Sequence, residues 1–373
     1  CHMPTTTYMV IDPRHDHSIR IPRPEQSVKL GTPNACTNCH TDKSAQWAAE
    51  QTRKWYPHPI AGYQQFAEAL HAGSTGAPGA LDQLVAVAEN KDQPGIARAS
   101  AVARMSRYLN QRAVDGIRLL LYDNDPLVRR AAVEALDNAG TALRAQLLPG
   151  LLDDPVKSVR IEAARSLVAA ERLHPAQRGR LAAVLDEYVT VQMFNADRPE
   201  SHSNLGTLYA EQGEFQKAEA SFKTALELSP YFVAASVNLA DVYRAQGRER
   251  DAETILRQAL RTSPLSPDVH HALGLSLVRQ HRMADALAEL RKAATLGPQT
   301  ARYRYVYAVA LYGAGQRIKA IKELESALKQ HPYDREILVA LVSYLRESGE
   351  GKQASVYASR LAELEPGIQQ TAH

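Results

Sequence analysis

Cysteine is scarce in this sequence and unevenly distributed. Only three cysteines occur among 373 residues, Cys1, Cys36 and Cys39, and none follows them. Three cysteines are too few for a disulfide-stapled scaffold, which spreads its bridges over the whole chain. Any sulfur chemistry is therefore confined to the N-terminal end of the chain.

The chain also lacks long apolar runs and clusters of like charge. No stretch approaches the roughly 18 apolar residues that cross a bilayer, so the sequence predicts no transmembrane segment. Its 44 basic and 41 acidic residues are scattered, and without a stripe of Lys and Arg we expect no nucleic-acid partner. Phosphate-binding glycine loops, nucleophile elbows and His-Glu-x-x-His zinc motifs are missing too, which excludes the enzyme classes that use them.

Repetition is what the chain has in abundance. Proline recurs every 34 residues through the C-terminal half, and alanine keeps step with it. The positions are Pro230, Pro264, Pro298, Pro332 and Pro366, with Ala218, Ala252, Ala286, Ala320 and Ala354. Proline ends a helix, and small residues let the two helices of a hairpin approach closely. The pattern resembles the tetratricopeptide repeat (TPR), with five copies from about residue 199 to residue 368.

A looser period precedes the TPR-like region. Asp125-Pro126 and Asp154-Pro155 each lead, through a Val-Arg pair, into an alanine-rich helix, and a weaker copy begins at Pro94. Aspartate caps helix N-termini and proline is tolerated in the first turn, so each Asp-Pro predicts a helix start. This pattern resembles the HEAT repeat.

The two resemblances imply an all-α fold. We expect a right-handed α-solenoid in which HEAT-like hairpins over 61–195 continue into TPR hairpins over 196–373. Five prolines in the first 34 residues prevent a long helix there. The segment 1–60 is therefore predicted to be a separate unit that begins as an extended, irregular arm.

Helix A of each TPR hairpin is expected to line the concave face of the solenoid. The side chains predicted on that face are polar and aromatic: Asp241, Arg244, His271, Tyr305, Tyr312, Arg346 and Glu347. The tyrosines of the stretch 303–307 are interpreted as half-buried spacers between helices, and the alternative is an adhesive patch for a partner protein. His270, His271 and His281 are interpreted as surface residues of the repeats and not as metal ligands.

The pentapeptide Cys36-Thr37-Asn38-Cys39-His40 does not fit the repeats. A redox dithiol needs Cys-x-x-Cys at a helix start after a strand in an α/β fold, and the chain shows no convincing strand pattern. A structural zinc site needs about four ligands, and the adjacent Cys39 and His40 bend onto one metal only awkwardly. The pentapeptide resembles the c-type haem attachment motif, in which two thiols bind the porphyrin and the histidine binds the iron. The resemblance implies thioethers at Cys36 and Cys39, with His40 as the proximal ligand of a haem c.

The start of the sequence, Cys1-His2-Met3-Pro4, resembles the end of a second attachment motif in multihaem c-type cytochromes. That resemblance implies a thioether from Cys1 to an upstream haem, with His2 as its proximal ligand and the first cysteine preceding residue 1. The alternative is a lipoprotein, whose mature chain starts at an acylated cysteine.

A distal iron ligand is expected on the segment between the two motifs. By its place before Ser-Ile-Arg, His17 matches the distal histidine of multihaem cytochromes best, and His15 is second. Met3, Met9 and His58 are further candidates, and the haem that the ligand serves stays open.

The resemblance to multihaem cytochromes implies a function as well as a cofactor. We expect electron transfer by at least one haem c, export to the periplasm or the cell surface, and a solenoid that docks a redox partner protein or a larger cytochrome assembly. One alternative is part of an enzyme of the nitrite-reductase and hydroxylamine-oxidoreductase kind. The other is an interaction scaffold without redox activity.

Overall fold

The structure is a computed structural model, and it describes residues 3, 5–15, 21–58, 65–170 and 173–364. The N-terminal part contains two strands and two helices: β1 (Thr5–Tyr8), β2 (Asp12–His15), α1 (Pro24–Leu30) and α2 (Ala45–Trp55). The strands pair antiparallel, with Thr5 opposite His15 and Tyr8 opposite Asp12.

The N-terminal segment is more regular than its prolines predict. Three successive threonines, which are β-branched and favour strands, form β1. Pro24 occupies the first turn of α1, where its missing N–H costs no hydrogen bond. The extended arm is therefore a β-hairpin, and a short helix follows it.

The HEAT-like region follows. Its helices are α3 (Ala67–Thr75), α4 (Ala80–Glu89), α5 (Gly95–Met105), α6 (Gln111–Leu120), α7 (Pro126–Ala135), α8 (Thr141–Leu147), α9 (Lys157–Leu167) and α10 (Pro175–Phe194). Asp125 caps α7 as predicted, because its carboxylate accepts from the Leu127 N–H at 2.9 Å. Asp154 accepts from the Val156 N–H in the same way, but α9 begins two residues beyond Pro155.

A row of arginines connects successive HEAT hairpins. Helices α5, α7 and α9 pack side by side, and each carries an arginine at the same place in its first turn. Arg98 pairs with Asp123, Arg129 with Asp154 and Arg160 with Glu187, each with two arginine nitrogens on the carboxylate. Each arginine also donates to backbone carbonyls of the preceding turn or helix. These three pairs, which we call the arginine ladder, connect neighbouring repeats through charge-assisted hydrogen bonds.

The TPR region follows without a break. Its helices are α11 (Pro199–Glu211), α12 (Phe215–Leu228), α13 (Val233–Ala245), α14 (Glu249–Thr262), α15 (Pro267–Arg279), α16 (Met283–Leu296), α17 (Ala301–Gly313), α18 (Arg317–Gln330), α19 (Arg335–Glu347) and α20 (Gly351–Leu364). The first helices of the five hairpins start 34 residues apart. All five alanines of the predicted register are buried, and a Cβ at Gly206 would lie 2.8 Å from the Phe222 ring. Small residues thus bring the paired helices together.

One hydrophobic core joins the two repeat types. It runs from Leu84 in α4 to Leu208 in α11, so the HEAT hairpins and the first TPR helix share a single packed interior. This architecture confirms the predicted all-α solenoid of helical hairpins. None of the helices in the described ranges is long and apolar enough to cross a membrane.

Candidate functional site

The Cys36–His40 segment forms one tight turn between α1 and α2. The His40 N–H donates to the Cys36 carbonyl at 2.9 Å, and the Cys39 N–H donates to the same oxygen at 3.2 Å. Both cysteines are free thiols; Cys36 is half-buried and Cys39 is exposed. The turn therefore places two thiols and an imidazole together within one turn of backbone.

Asn34 fixes the start of this turn. Its side-chain oxygen accepts from the backbone N–H groups of Cys36 and Thr37 at 3.1 and 3.2 Å, as an N-cap does at a helix. The Thr37 hydroxyl donates back to the Asn34 carbonyl at 3.2 Å. The c-type haem attachment motif does not include Asn34. The sequence signal for its capping role is an Asn or Asp two positions before the first cysteine.

Helix α2 holds the other end of the turn. The Ser44 hydroxyl caps α2 by accepting from the Trp47 N–H at 3.2 Å. The Trp47 ring then lies 4.9 Å from the His40 ring, centroid to centroid, at an interplanar angle of 52°. Trp47 thus orients the imidazole, while Trp55 at the end of the helix is 69% exposed.

Large apolar side chains stay exposed on the helices that flank the turn. Val28 on α1 and Trp55 on α2 are exposed, as are Ile21 and Tyr56 just outside the two helices. The donor set fits a covalently bound macrocycle, because it supplies two unbonded thiols and one nitrogen ligand. We find no conflict between the residues present and a haem c.

The other two interpretations of the turn find less support. Among the described residues, no group of three or more His, Cys, Asp or Glu side chains could hold a metal ion. The turn follows a helix and not a strand, and the strands in the described ranges form only the β1–β2 hairpin. The zinc and thioredoxin-like arrangements are therefore not formed there.

His15 lies on β2 with one ring nitrogen engaged. Its Nδ1 is 3.2 Å from the Met3 carbonyl and 3.1 Å from the Thr5 hydroxyl. A carbonyl oxygen only accepts, so the tautomer that donates from Nδ1 to Met3 carries its lone pair on Nε2. A backbone carbonyl on the far nitrogen is a usual second contact of metal-binding histidines.

The remaining ligand candidates are less informative. Met9 and Met3 are exposed, Met9 at the tip of the hairpin, and His58 is exposed beyond α2. Cys1, His2 and His17 lie outside the described residues, so their predicted roles stay predictions.

Tyrosines lie on the first helices of the last two TPR hairpins, α17 and α19. Tyr312 stacks on Tyr344 with ring centroids 3.7 Å apart, and the Tyr312 hydroxyl donates to Glu347 at 2.7 Å. Tyr303 is buried and donates to Asp268 at 2.5 Å; burial and this hydrogen bond raise the pKa of Tyr303 to about 12. Tyr305 is half-buried. The tyrosines are therefore largely packed between helices, as predicted.

Two of the three histidines of the third TPR hairpin, His270 and His271, differ from their prediction as surface residues. His270 is buried, with Nδ1 2.5 Å from Glu289 and Nε2 3.0 Å from the Pro264 carbonyl. His271 is half-buried, its Nδ1 has no hydrogen-bond partner among the described residues, and burial lowers its pKa. The prediction was wrong for His270 because its ring is held between Glu289 on α16 and the loop before α15, and these contacts were not inferred from the 34-residue pattern. His281 does lie on the surface.

Comparison with known proteins agrees with the two repeat types. A HEAT-repeat family model matches residues 81–168, and tetratricopeptide-repeat models match residues 209–276 and 271–335. No curated protein sequence matches the chain.

Among solved structures, the MamA protein is 20% identical, with 45% of this chain and 92% of that chain covered and a TM-score of 0.39. YrrB, a TPR protein with an unusual peptide-binding site, is 19% identical, with coverage of 48% and 93% and a TM-score of 0.37. The pilF protein of Pseudomonas aeruginosa is 22% identical, with coverage of 46% and 78% and a TM-score of 0.40. From the family models, the chain carries HEAT repeats followed by TPR repeats, a scaffold of the kind that binds other proteins.

Proposed function

We propose that the protein transfers electrons through a haem c attached at the Cys36–His40 turn, while the HEAT and TPR solenoid docks a partner protein. The observation that carries this proposal is the turn itself: two free thiols and an imidazole on one hydrogen-bonded stretch of backbone. A repeat fold does not require two cysteines three positions apart followed by a histidine. The described part of the chain contains no other cysteines.

Each residue of the turn has a defined task in this proposal. Cys36 and Cys39 would hold the macrocycle through thioether bonds, and His40, oriented by Trp47, would supply the proximal nitrogen. His15 and His17 are the candidates for the distal nitrogen, and His15 has its Nε2 lone pair available in the tautomer that donates from Nδ1 to the Met3 carbonyl. Cys1 and His2 would serve an upstream haem. When bound, the group supplies a one-electron couple whose potential depends on the axial ligands and on burial.

The solenoid supplies recognition in this proposal. TPR and HEAT arrays offer extended surfaces that bind proteins and seldom do chemistry, so we infer a redox partner protein or a larger cytochrome assembly as the bound species. Covalent haem attachment further suggests an exported protein, in the periplasm or at the cell surface.

The first experiment is spectroscopic. The protein is produced in cells that carry a cytochrome c maturation system, and its pyridine haemochrome spectrum and intact mass are recorded. We expect a c-type α band and a mass increase of at least one haem. A ratio above one haem per chain would assign a second haem to Cys1. Purified protein that lacks haem under these conditions would overturn the proposal and leave a protein-binding scaffold.

Substitutions in the turn separate haem attachment from iron ligation. We expect Cys36→Ser with Cys39→Ser to abolish covalent haem, because both thioether positions are lost. His40→Ala should keep covalent haem but change the Soret band and the potential, since the proximal nitrogen is removed. His71→Ala is the matched control, because His71 is an exposed histidine on α3 and not a ligand candidate, and it should leave both properties unchanged. Equal spectra for His40→Ala and the parent protein would contradict the assignment of His40.

A further inference from the structure

The tyrosine in the loop between α18 and α19 is less exposed than the residues at the same position of other repeats. Tyr231, Leu265 and Tyr333 occupy one position of the 34-residue repeat, directly after its proline. Tyr231 is 70% exposed and Leu265 is 73% exposed, but Tyr333 is only 36% exposed. The three positions are equivalent in the 34-residue repeat, so the lower exposure of Tyr333 points to a neighbour from outside its own repeat.

The C-terminal end of α3 lies against Tyr333. A Cβ added at Gly76 would lie 3.2 Å from the Tyr333 carbonyl oxygen and 3.4 Å from the Tyr333 Cβ. Gly76 ends α3 in the left-handed conformation, with a φ of 80°. Glycine therefore serves two needs here, the left-handed turn and the close approach of a distant loop.

Gly79 shows that the left-handed turn alone does not explain the contact. Its φ is 70°, three residues further along the same connection. Within the described part of the chain, nothing lies within 4 Å of a Cβ placed at Gly79. Gly76 and Gly79 thus form a matched pair in which only one position meets the far end of the solenoid.

We propose that Gly76 and Tyr333 form a clasp that closes the solenoid on itself. The first HEAT-like helix and the connection between the last two TPR hairpins lie at opposite ends of the repeat region, so their contact closes the superhelix into a ring. The proposal concerns the fold alone and holds whether or not a haem is attached.

The clasp also affects the position of the Cys36–His40 turn. Helix α1 packs on α3, and Lys29 on α1 pairs with Glu68 on α3 at 2.7 Å. Because α3 also contacts Tyr333, it holds the N-terminal segment on one side and the last two TPR hairpins on the other. A protein bound beside the stacked Tyr312 and Tyr344 of α17 and α19 is then kept at a fixed place relative to Cys36–His40.

Cysteine cross-linking tests the clasp directly in the full chain. The Cβ separation of 3.4 Å is close to the roughly 3.5–4.5 Å found in disulfides, so Gly76→Cys with Tyr333→Cys should cross-link under mild oxidation. The matched control pairs Gly76→Cys with Leu265→Cys, the equivalent loop position. Mass mapping of the cross-linked peptides distinguishes the new bond from bonds to the native cysteines. Equal yields in the two pairs, or no cross-link in either, would overturn the proposal.

A second measurement does not depend on a bond forming. Gly76→Val and Gly79→Val carry the same left-handed strain, but only the first drives a side chain into Tyr333. We expect Gly76→Val to increase the radius of gyration and the maximum dimension in solution scattering, and Gly79→Val to leave both at the parent values. A change of the same size in both variants, or in neither, would contradict a clasp at Gly76.

Discussion

His281 occupies a backbone position that glycine fills in the other TPR hairpins. It lies in the turn between α15 and α16 with a φ of 60°, and the equivalent residues Gly213, Gly247, Gly315 and Gly349 have φ values of 73–80°. The left-handed conformation costs a side chain with a Cβ roughly 1–2 kcal/mol. Glycine relieves this strain, but it also has more conformational entropy in the unfolded chain, which offsets part of the gain. We therefore expect His281→Gly to raise the free energy of unfolding by only about 0.5–1 kcal/mol.

Urea unfolding checks this expectation. His281→Ala is the matched control, because it removes the imidazole but keeps the Cβ and should bring no gain. An increase of equal size in both variants would assign the effect to the lost imidazole and not to the backbone.

The roles of single side chains were only partly predictable. Cys36, Cys39 and His40 form a motif that is visible without a structure, because spacing along the chain defines it. Asn34 was missed because its role depends on a backbone turn that no pattern of apolar residues indicates. His270 was misplaced because its two partners come from α16 and from the loop before α15. Contacts between elements decide such roles, and sequence spacing does not encode them.

Helix pairing in the HEAT-like region depends on the arginine ladder. Arg129 and Asp154 are 12% and 4% exposed, so removal of the carboxylate leaves a guanidinium largely buried without its partner. We expect Asp154→Asn to lower the free energy of unfolding by about 3 kcal/mol. Asp82→Asn is the control, because its pair with Arg112 is more than half exposed and such pairs contribute at most about 1 kcal/mol. Equal losses would show that the ladder does not connect the hairpins.

The ladder also gives the stability of this region a pH dependence. The hydrogen bonds from Arg98 lower the pKa of Asp123. Burial raises the pKa of Asp154, but hydrogen bonds from Arg129 and Val156 outweigh it and the net pKa is lowered. An unfolded aspartate has a pKa of about 3.9, so this stabilisation is complete above that value and is lost as pH falls through the folded pKa values. We expect unfolding free energies measured between pH 6 and about pH 2.5 to fall more steeply in the parent protein than in Asp154→Asn; parallel curves would contradict this origin.

The architecture of the whole chain was predictable where it is periodic. Proline and alanine spacing predicted the TPR hairpins, and the repeated Asp-Pro starts predicted the HEAT-like ones, because stacking neighbours repeats the same local contacts. The β1–β2 hairpin and the contact of Gly76 with Tyr333 were not predictable in this way. Each occurs once, and the second joins residues at opposite ends of the repeat region, so no local period can indicate it.

Local unfolding of the molecule should begin in the helices with the fewest buried residues. In a repeat array each hairpin contacts mainly its neighbours, so terminal hairpins lose structure first. Helix α20 buries only Ala354 along 14 residues, whereas α9 buries six of its 11. We expect amide hydrogen exchange to be fast in α20 and slowest in α9 and its neighbours in the shared core.

The clasp adds a boundary to this pattern of exchange. Tyr333 is held against α3, so the first turn of α19 should remain protected when α20 opens. Gly76→Val should remove that protection and Gly79→Val should preserve it; uniform exchange from α17 to α20 in the parent protein would exclude such a boundary.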